Sequence, residues 1–116
     1  MVAHDPRIPV RFGPLADAGE GDALLVEEGV GTVPDRAPAA RFAPAGPFAH
    51  APGCPCCGAR NPVSLALQGL FVARARGEAA SFRSVLAVVS SEAGAKLVRS
   101  ALSDDGLAAA RFRLEK

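Results

Sequence analysis

Hydrophobic and polar positions follow a helical pattern directly after residue 61. Apolar side chains recur at helical spacing at Val63, Leu67, Leu70 and Phe71. Asn61 is a favourable N-cap residue, and Pro62 suits the first helical position because its missing N–H has no helical partner there. The pattern therefore predicts a helix from about 62 to 75, ended by Gly77.

Short apolar runs predict strands on both sides of this helix. The run from Ser84 to Ser90 is almost wholly apolar, which is typical of a parallel strand buried on both faces. Runs at Ile8 to Phe12, Ala23 to Val26 and Ala110 to Leu114 predict further strands. A second amphipathic helix is predicted from about 92 to 103. Helices that alternate with strands indicate crossover connections and a small α/β fold.

The chain divides into two parts of different composition within one predicted domain, 1–116. Residues 1–52 are rich in Pro and Gly, and they carry two of the short predicted strands. Residues 29–52 show no periodicity and many prolines, so they are interpreted as a long loop. Residues 53–116 are predicted to form a cysteine turn, helix, strand, helix and strand, with a turn at 104–106 before the last strand.

Charge and hydropathy exclude several classes of partner. The 116 residues include 13 basic and 12 acidic side chains, a net charge of +1, which gives no reason to expect nucleic-acid binding. The longest uncharged run, 42–59, is broken by prolines and does not predict a membrane helix. The amino terminus lacks the pattern of a secretory signal. We therefore expect a cytoplasmic protein in which thiols stay reduced.

Three cysteines, Cys54, Cys56 and Cys57, are clustered in a chain that has no others. Thiolates are soft ligands that suit zinc, and this turn can direct two or three sulfurs at one ion. The start of the predicted helix and Arg60 both favour thiolate over thiol. His50, four residues before the first cysteine, is a candidate fourth ligand. The pattern predicts a Zn²⁺ site, and other thiophilic metals suit the same donors.

The cysteines have three other interpretations, of which the first requires residues that the chain lacks. Cys54 and Cys57 have the spacing of half a zinc ribbon, but such a ribbon needs a second cysteine pair, which this chain lacks. The same two residues have the spacing of a thiol redox pair, although Cys56 would compete for the disulfide. The cysteines can also be chance residues in a loop.

The segment Gly53-Cys54-Pro55-Cys56-Cys57, followed by Arg60, resembles the Gly-Cys-x-Cys-Cys-x-x-Arg segment of the CobW-type metallochaperone GTPases. The stretch VLAVVSSEAGAKLVRSALSDDGLAAARFRL is similar to the strand, switch loop and helix that follow in that family. RIPVRF and EGDALLVEEG resemble earlier segments more weakly. The resemblance implies a role in metal delivery or homeostasis. It also implies part of a three-layer α/β GTPase domain, without its first strand and phosphate-binding loop.

This chain differs from the family pattern at residues that nucleotide binding and hydrolysis require in the family. The only lysines are Lys96 and Lys116, and neither follows a glycine as in a phosphate-binding loop. The acidic switch motif would fall on Val88 to Ala95, which reads VVSSEAGA. Pro55 stands where the family usually has a β-branched residue. We therefore predict a non-catalytic metal-binding protein. The alternatives are a thiol redox protein that uses Cys54 and Cys57, and an interaction module with relic cysteines that pairs with a full-length GTPase.

The resemblance also leads to an expectation about partners. If the central strand of a GTPase sheet is missing, the apolar strand at Ser84 to Ser90 should be less protected than in a full domain. An exposed strand favours association. A homodimer, or a complex with a full-length GTPase paralogue, is therefore expected.

The purified protein is expected to hydrolyse neither GTP nor ATP above the buffer rate. No lysine is placed to hold phosphates, and Val88 and Gly94 stand at the two positions of the switch segment where the family has acidic residues. A phosphate-release assay on protein free of contaminating GTPases checks this. Saturable turnover that co-purifies with the protein would contradict it.

Overall fold

The computed structural model describes residues 7–31, 38–43, 61–77 and 82–115. The strands of this part are β1 (Ile8–Phe12), β2 (Asp22–Glu27), β3 (Ala39–Phe42), β4 (Ser84–Val88) and β5 (Phe112–Leu114). The helices are α1 (Pro62–Ala75), α2 (Glu92–Asp104) and α3 (Gly106–Arg111), with a short 3-10 helix at Leu15–Asp17. The protein is therefore a small α/β domain, which confirms the class that the alternating pattern predicts.

The described strands form one parallel sheet in the order β3-β2-β4-β1-β5. β4 lies at the centre, where Val85 is in register with Ala23 of β2 and Val10 of β1. Both faces of β2 and β4 are buried, which explains why their sequences are almost continuously apolar.

The expectation of a poorly protected strand at Ser84 is wrong. β4 is paired on both sides, and Val85, Leu86 and Ala87 are 0% exposed. The reason is that β1 and β2, from the Pro- and Gly-rich first part of the chain, flank it. The argument for a partner that rested on this strand therefore does not hold.

The connections between strands explain which face carries the helices. From β1 to β2 and from β2 to β3 the chain moves toward one sheet edge, and Leu15, Ala18 and Val30 of these connections pack on one face. From β3 to β4 and from β4 to β5 it moves the opposite way, and the α-helices α1, α2 and α3 pack on the other face. A crossover connection that reverses both its direction along the sheet and the face that it crosses keeps the same handedness. Both pairs of connections therefore satisfy the strong preference for right-handed crossovers.

The main core lies between the sheet and the helices α1, α2 and α3. Its buried members are Ile8, Val10, Ala23, Leu25, Phe42, Val63, Leu67, Leu70, Phe82, Val85, Ala87, Val98, Ala101, Leu102, Ala108 and Phe112. A smaller cluster of Leu24, Val26, Leu86 and Val88 lies on the opposite face. Alternate residues of β2 and β4 therefore supply the two cores, as the pleat of a strand requires.

Local signals account well for the first helix. The Asn61 side chain accepts a hydrogen bond from the Val63 N–H at 2.8 Å, and Pro62 occupies the first helical position. α1 has the predicted bounds. After its end, Gly77 has a φ of 75°, a left-handed conformation that glycine adopts without steric cost.

The largest differences from the sequence predictions concern three segments. Residues 39 to 42 lie inside the predicted long loop but form β3, which pairs with β2. The predicted turn at 104–106 is replaced by the start of α3, because the Asp105 side chain accepts from the Leu107 and Ala108 N–H groups. The last strand is consequently shorter than predicted, since α3 continues to Arg111.

Replacing Leu86 by alanine is expected to lower the free energy of unfolding by about 2–5 kcal/mol, because it leaves a cavity under the central strand. Leu65→Ala in α1 is the matched control, since Leu65 is 52% exposed and Leu86 is 0% exposed. The control should change stability by less than about 0.5 kcal/mol. Urea denaturation of both variants measures the difference, and equal losses would contradict the central position of β4.

Candidate functional site

The carboxyl edge of the sheet is where open parallel sheets usually bind ligands. α2 begins at this edge, four residues after β4 ends. The end of α1 lies near the opposite edge, because Arg74 donates from Nε to the Phe82 carbonyl just before β4. Fourteen helical residues span about 21 Å. The amino terminus of α1 therefore also points toward the carboxyl edge.

The predicted metal ligands are not among the described residues. Cys54, Cys56, Cys57 and His50 all fall in the undescribed range 44–60. Within the ranges that are described, no group of three or more His, Cys, Asp or Glu side chains could hold a metal ion. The Zn²⁺ site therefore stays a prediction from the sequence.

Asn61 is the first described residue after the cysteines, four positions beyond Cys57. Its Oδ1 accepts from the Val63 N–H, and its Nδ2 donates to the Leu97 carbonyl of α2 at 2.9 Å. One side chain thus caps α1 and attaches it to α2. The chain leaves the cysteine segment at a point held by two helices. The sequence predicted the cap but contained no signal for the contact with α2.

Glu27, at the end of β2, is a buried polar residue that the sequence analysis missed. Its Oε1 accepts from the Ser90 N–H at 2.8 Å and from the Ser91 N–H at 3.2 Å. Its Oε2 accepts from the Ser91 hydroxyl at 2.6 Å, and that hydroxyl in turn accepts from the Gly94 N–H at 3.0 Å. The carboxylate is therefore bound at the amino terminus of α2. Glu27 is only 3% exposed.

The electrostatics of Glu27 follow from these contacts. Burial by itself raises the pKa of the carboxyl, but the hydrogen bonds from Ser91 and Ser90 outweigh burial and lower the pKa below its usual value. The positive end of the α2 dipole also favours a negative charge here. The side chain is therefore ionised at neutral pH. A sequence signal for this role was available in the Ser-Ser pair before α2 and the acidic end of β2.

A second buried carboxylate, Asp22, lies at the start of β2. Arg11 of β1 donates to both of its oxygens, at 3.0 and 2.7 Å, and the Gly19 N–H donates at 2.8 Å. The Ser84 hydroxyl at the start of β4 donates as well. The Arg11 guanidinium holds the pKa of Asp22 well below its usual range; burial opposes this effect, and Ser84 and Gly19 add to it. Asp22 thus ties together three neighbouring strands.

An open groove of about 540 Å³ runs along the outer side of α2. The described residues that line it are Ala93, Lys96, Leu97, Arg99, Ser100 and Ser103. The Arg99 guanidinium lies 5.2 Å from the centre of the Phe12 ring, a cation–π distance. The lining of the groove therefore combines the apolar side chains of Ala93 and Leu97 with the positive charges of Lys96 and Arg99.

None of the described helices is long and apolar enough to cross a membrane. The chain matches no protein-family model, no curated protein and no solved structure. The fold class therefore stands on the sheet topology, and function must be argued from the residues of this chain.

Replacing Asp22 by Asn is expected to destabilise the protein by roughly 2–3 kcal/mol at pH 7, because it breaks a buried charge pair with Arg11. Since the folded pKa of Asp22 is depressed, its contribution is complete above the unfolded pKa of about 3.9 and is lost as pH falls through the lower folded value. The stabilities of the wild type and the variant should therefore begin to converge below about pH 4, and the difference should disappear only as pH falls through the lower folded pKa.

The exposed neighbour Glu20 offers the control for this measurement. Glu20→Gln also removes one carboxylate from the connection between β1 and β2. Thermal unfolding of the three proteins from neutral to acid pH gives the comparison. A difference between Asp22→Asn and wild type that stayed constant down to acid pH would contradict the assigned pKa direction.

Proposed function

We propose that this chain is a non-catalytic metal-binding protein that takes up Zn²⁺ through Cys54, Cys56 and Cys57. The donor set supports the proposal, because three thiols and the nearby imidazole of His50 match the ligands that zinc prefers. Kinship with CobW-type metallochaperones belongs to the same proposal and rests on the Gly-Cys-x-Cys-Cys-x-x-Arg segment. Metal delivery or homeostasis in the cytoplasm is the corresponding role.

The observation that carries the proposal is the attachment of Asn61. Its contacts with Val63 and Leu97 hold the residue that ends the cysteine segment. In the sequence, Cys57 precedes by four positions a capped helix amino terminus, and the positive potential of a helix start favours thiolate over thiol. The experiment tests whether the three thiols coordinate a metal ion.

The chemistry of the donor set suits transfer of the metal. Three thiolates leave one position of a tetrahedral shell for His50, a carboxylate, water or a group from a partner. A shell completed by an exchangeable ligand releases its ion more readily than a closed Cys₄ site. A second copy of the chain and a full-length GTPase of the same family are the proposed partners, and either one can supply that ligand.

Cobalt and zinc titrations of the reduced protein are expected to show one bound ion with thiolate-to-cobalt absorption. Cys56→Ser should weaken binding by about a hundredfold or more, since even substitutions outside the ligand shell cost 10–100-fold. Affinity should fall as pH drops, because each thiol must lose its proton to bind.

The two histidines provide a matched pair of controls. His50→Ala should lower affinity, whereas His4→Ala should leave it unchanged. A Cys56→Ser variant that binds metal like wild type but keeps or gains disulfide-exchange activity through Cys54 and Cys57 would favour the redox alternative. Three cysteines that alkylate at the rate of free thiols, with and without zinc, would favour the interaction module with relic cysteines.

A further inference from the structure

β2 and β4 are neighbours in the sheet, but the connections that follow them go to opposite faces of the sheet. After β2 it passes to the face on which Val30 packs, and after β4 it enters α2 on the opposite face. In open α/β sheets this divergence creates a crevice, and the amino terminus of the helix that follows binds anionic groups such as phosphate. In this protein the corresponding position lies at the end of β2 and the start of α2, where the Glu27 carboxylate contacts Ser91.

Glu27 already occupies the anion position of this crevice. Its carboxylate accepts two main-chain N–H groups, of Ser90 and Ser91, and one hydroxyl, of Ser91. A phosphate at the start of a helix uses donors of the same kind. The protein therefore satisfies the start of α2 with a group of its own.

The first turn of α2 is shaped around this carboxylate. A Cβ atom added to Gly94 would overlap Glu27 Oε1, so only glycine at this position leaves room for the side chain. Glu28 and Glu92, the exposed residues beside β2 and at the start of α2, add negative charge at the same edge. Both features act against an anion from solution.

We propose that Glu27 is a built-in anion that closes the crevice between β2 and β4 to phosphate-bearing ligands. The Glu27 contact blocks the start of α2, because its carboxylate occupies the N–H and hydroxyl donors that a phosphate would use. The proposal is independent of metal binding. It assigns the closure of this helix start to one side chain, which can be replaced.

The test compares Glu27→Ala with Glu28→Ala, a matched carboxylate removal at the next, exposed position. The melting temperature of each protein is measured in inorganic phosphate and in chloride at equal ionic strength. Glu27→Ala should melt roughly 5–15 °C below Glu28→Ala in chloride. Phosphate should recover part of this difference, because it can take the vacated position. Wild type and Glu28→Ala should respond to phosphate equally and weakly.

Three results would overturn the proposal. They are equal melting temperatures for the two variants, no phosphate-specific recovery in Glu27→Ala, and a wild-type response as large as that of the variant. If Glu27→Ala does not fold, Glu27→Gln is compared with Glu28→Gln. In Glu27→Gln the buried amide NH₂ faces the N–H donors of Ser90 and Ser91, so this variant should melt at a lower temperature than Glu28→Gln. Equal melting temperatures of the two variants would again reject the role of Glu27.

Amide signals give a readout at the site itself. In ¹⁵N-labelled wild type, the Ser90 and Ser91 amides should keep their chemical shifts when phosphate is added, whereas in Glu27→Ala they should move saturably. Saturable shifts of these two amides in the wild-type protein would show that the crevice is open and would reject the proposal.

Discussion

The parallel pairing of β4 with both β1 and β2 is the constraint on which the described structure depends. A parallel neighbour can be reached only by a crossover connection, and crossovers have one strongly preferred hand. Because the connections run in both directions along the sheet, they must use both faces. The described α-helices consequently share one face with the main core, and the 3-10 helix at Leu15–Asp17 lies on the other.

β2 illustrates how a small domain uses buried charge without disrupting its core. The apolar residues between Asp22 and Glu27 supply both cores, while the two carboxylates at its ends are each satisfied by several donors. Asp22 joins the strand to Arg11 and Ser84, and Glu27 joins it to the start of α2. A one-residue register shift would separate Asp22 from Arg11 and Ser84, and Glu27 from Ser91, so the pair favours one alignment of the sheet.

The two helices that begin toward the carboxyl edge differ in what precedes them. The start of α2 is filled by Glu27, whereas α1 follows the cysteine segment and is capped by Asn61. A helix start favours negative groups, whether a carboxylate or a thiolate. The proposed metal site and the proposed closure of the crevice therefore use one electrostatic property of the fold for two different groups.

The sequence by itself determined the elements that depend on local chemistry. α1, with its cap at Asn61, and the apolar strand that begins at Ser84 are visible as periodicity, capping and composition within a few residues. The three cysteines are visible in the same way, as metal-donor side chains within a short stretch of sequence.

Only the tertiary structure decided the features that join distant parts of the chain. β3 is a strand because β2 offers it a parallel edge, and β4 is central because β1 and β2 lie on either side of it. Glu27 meets Ser91 across 64 positions. Such contacts arise from the packing of whole elements, so spacing along the chain identifies an acidic residue at a strand end but cannot specify the helix that receives it.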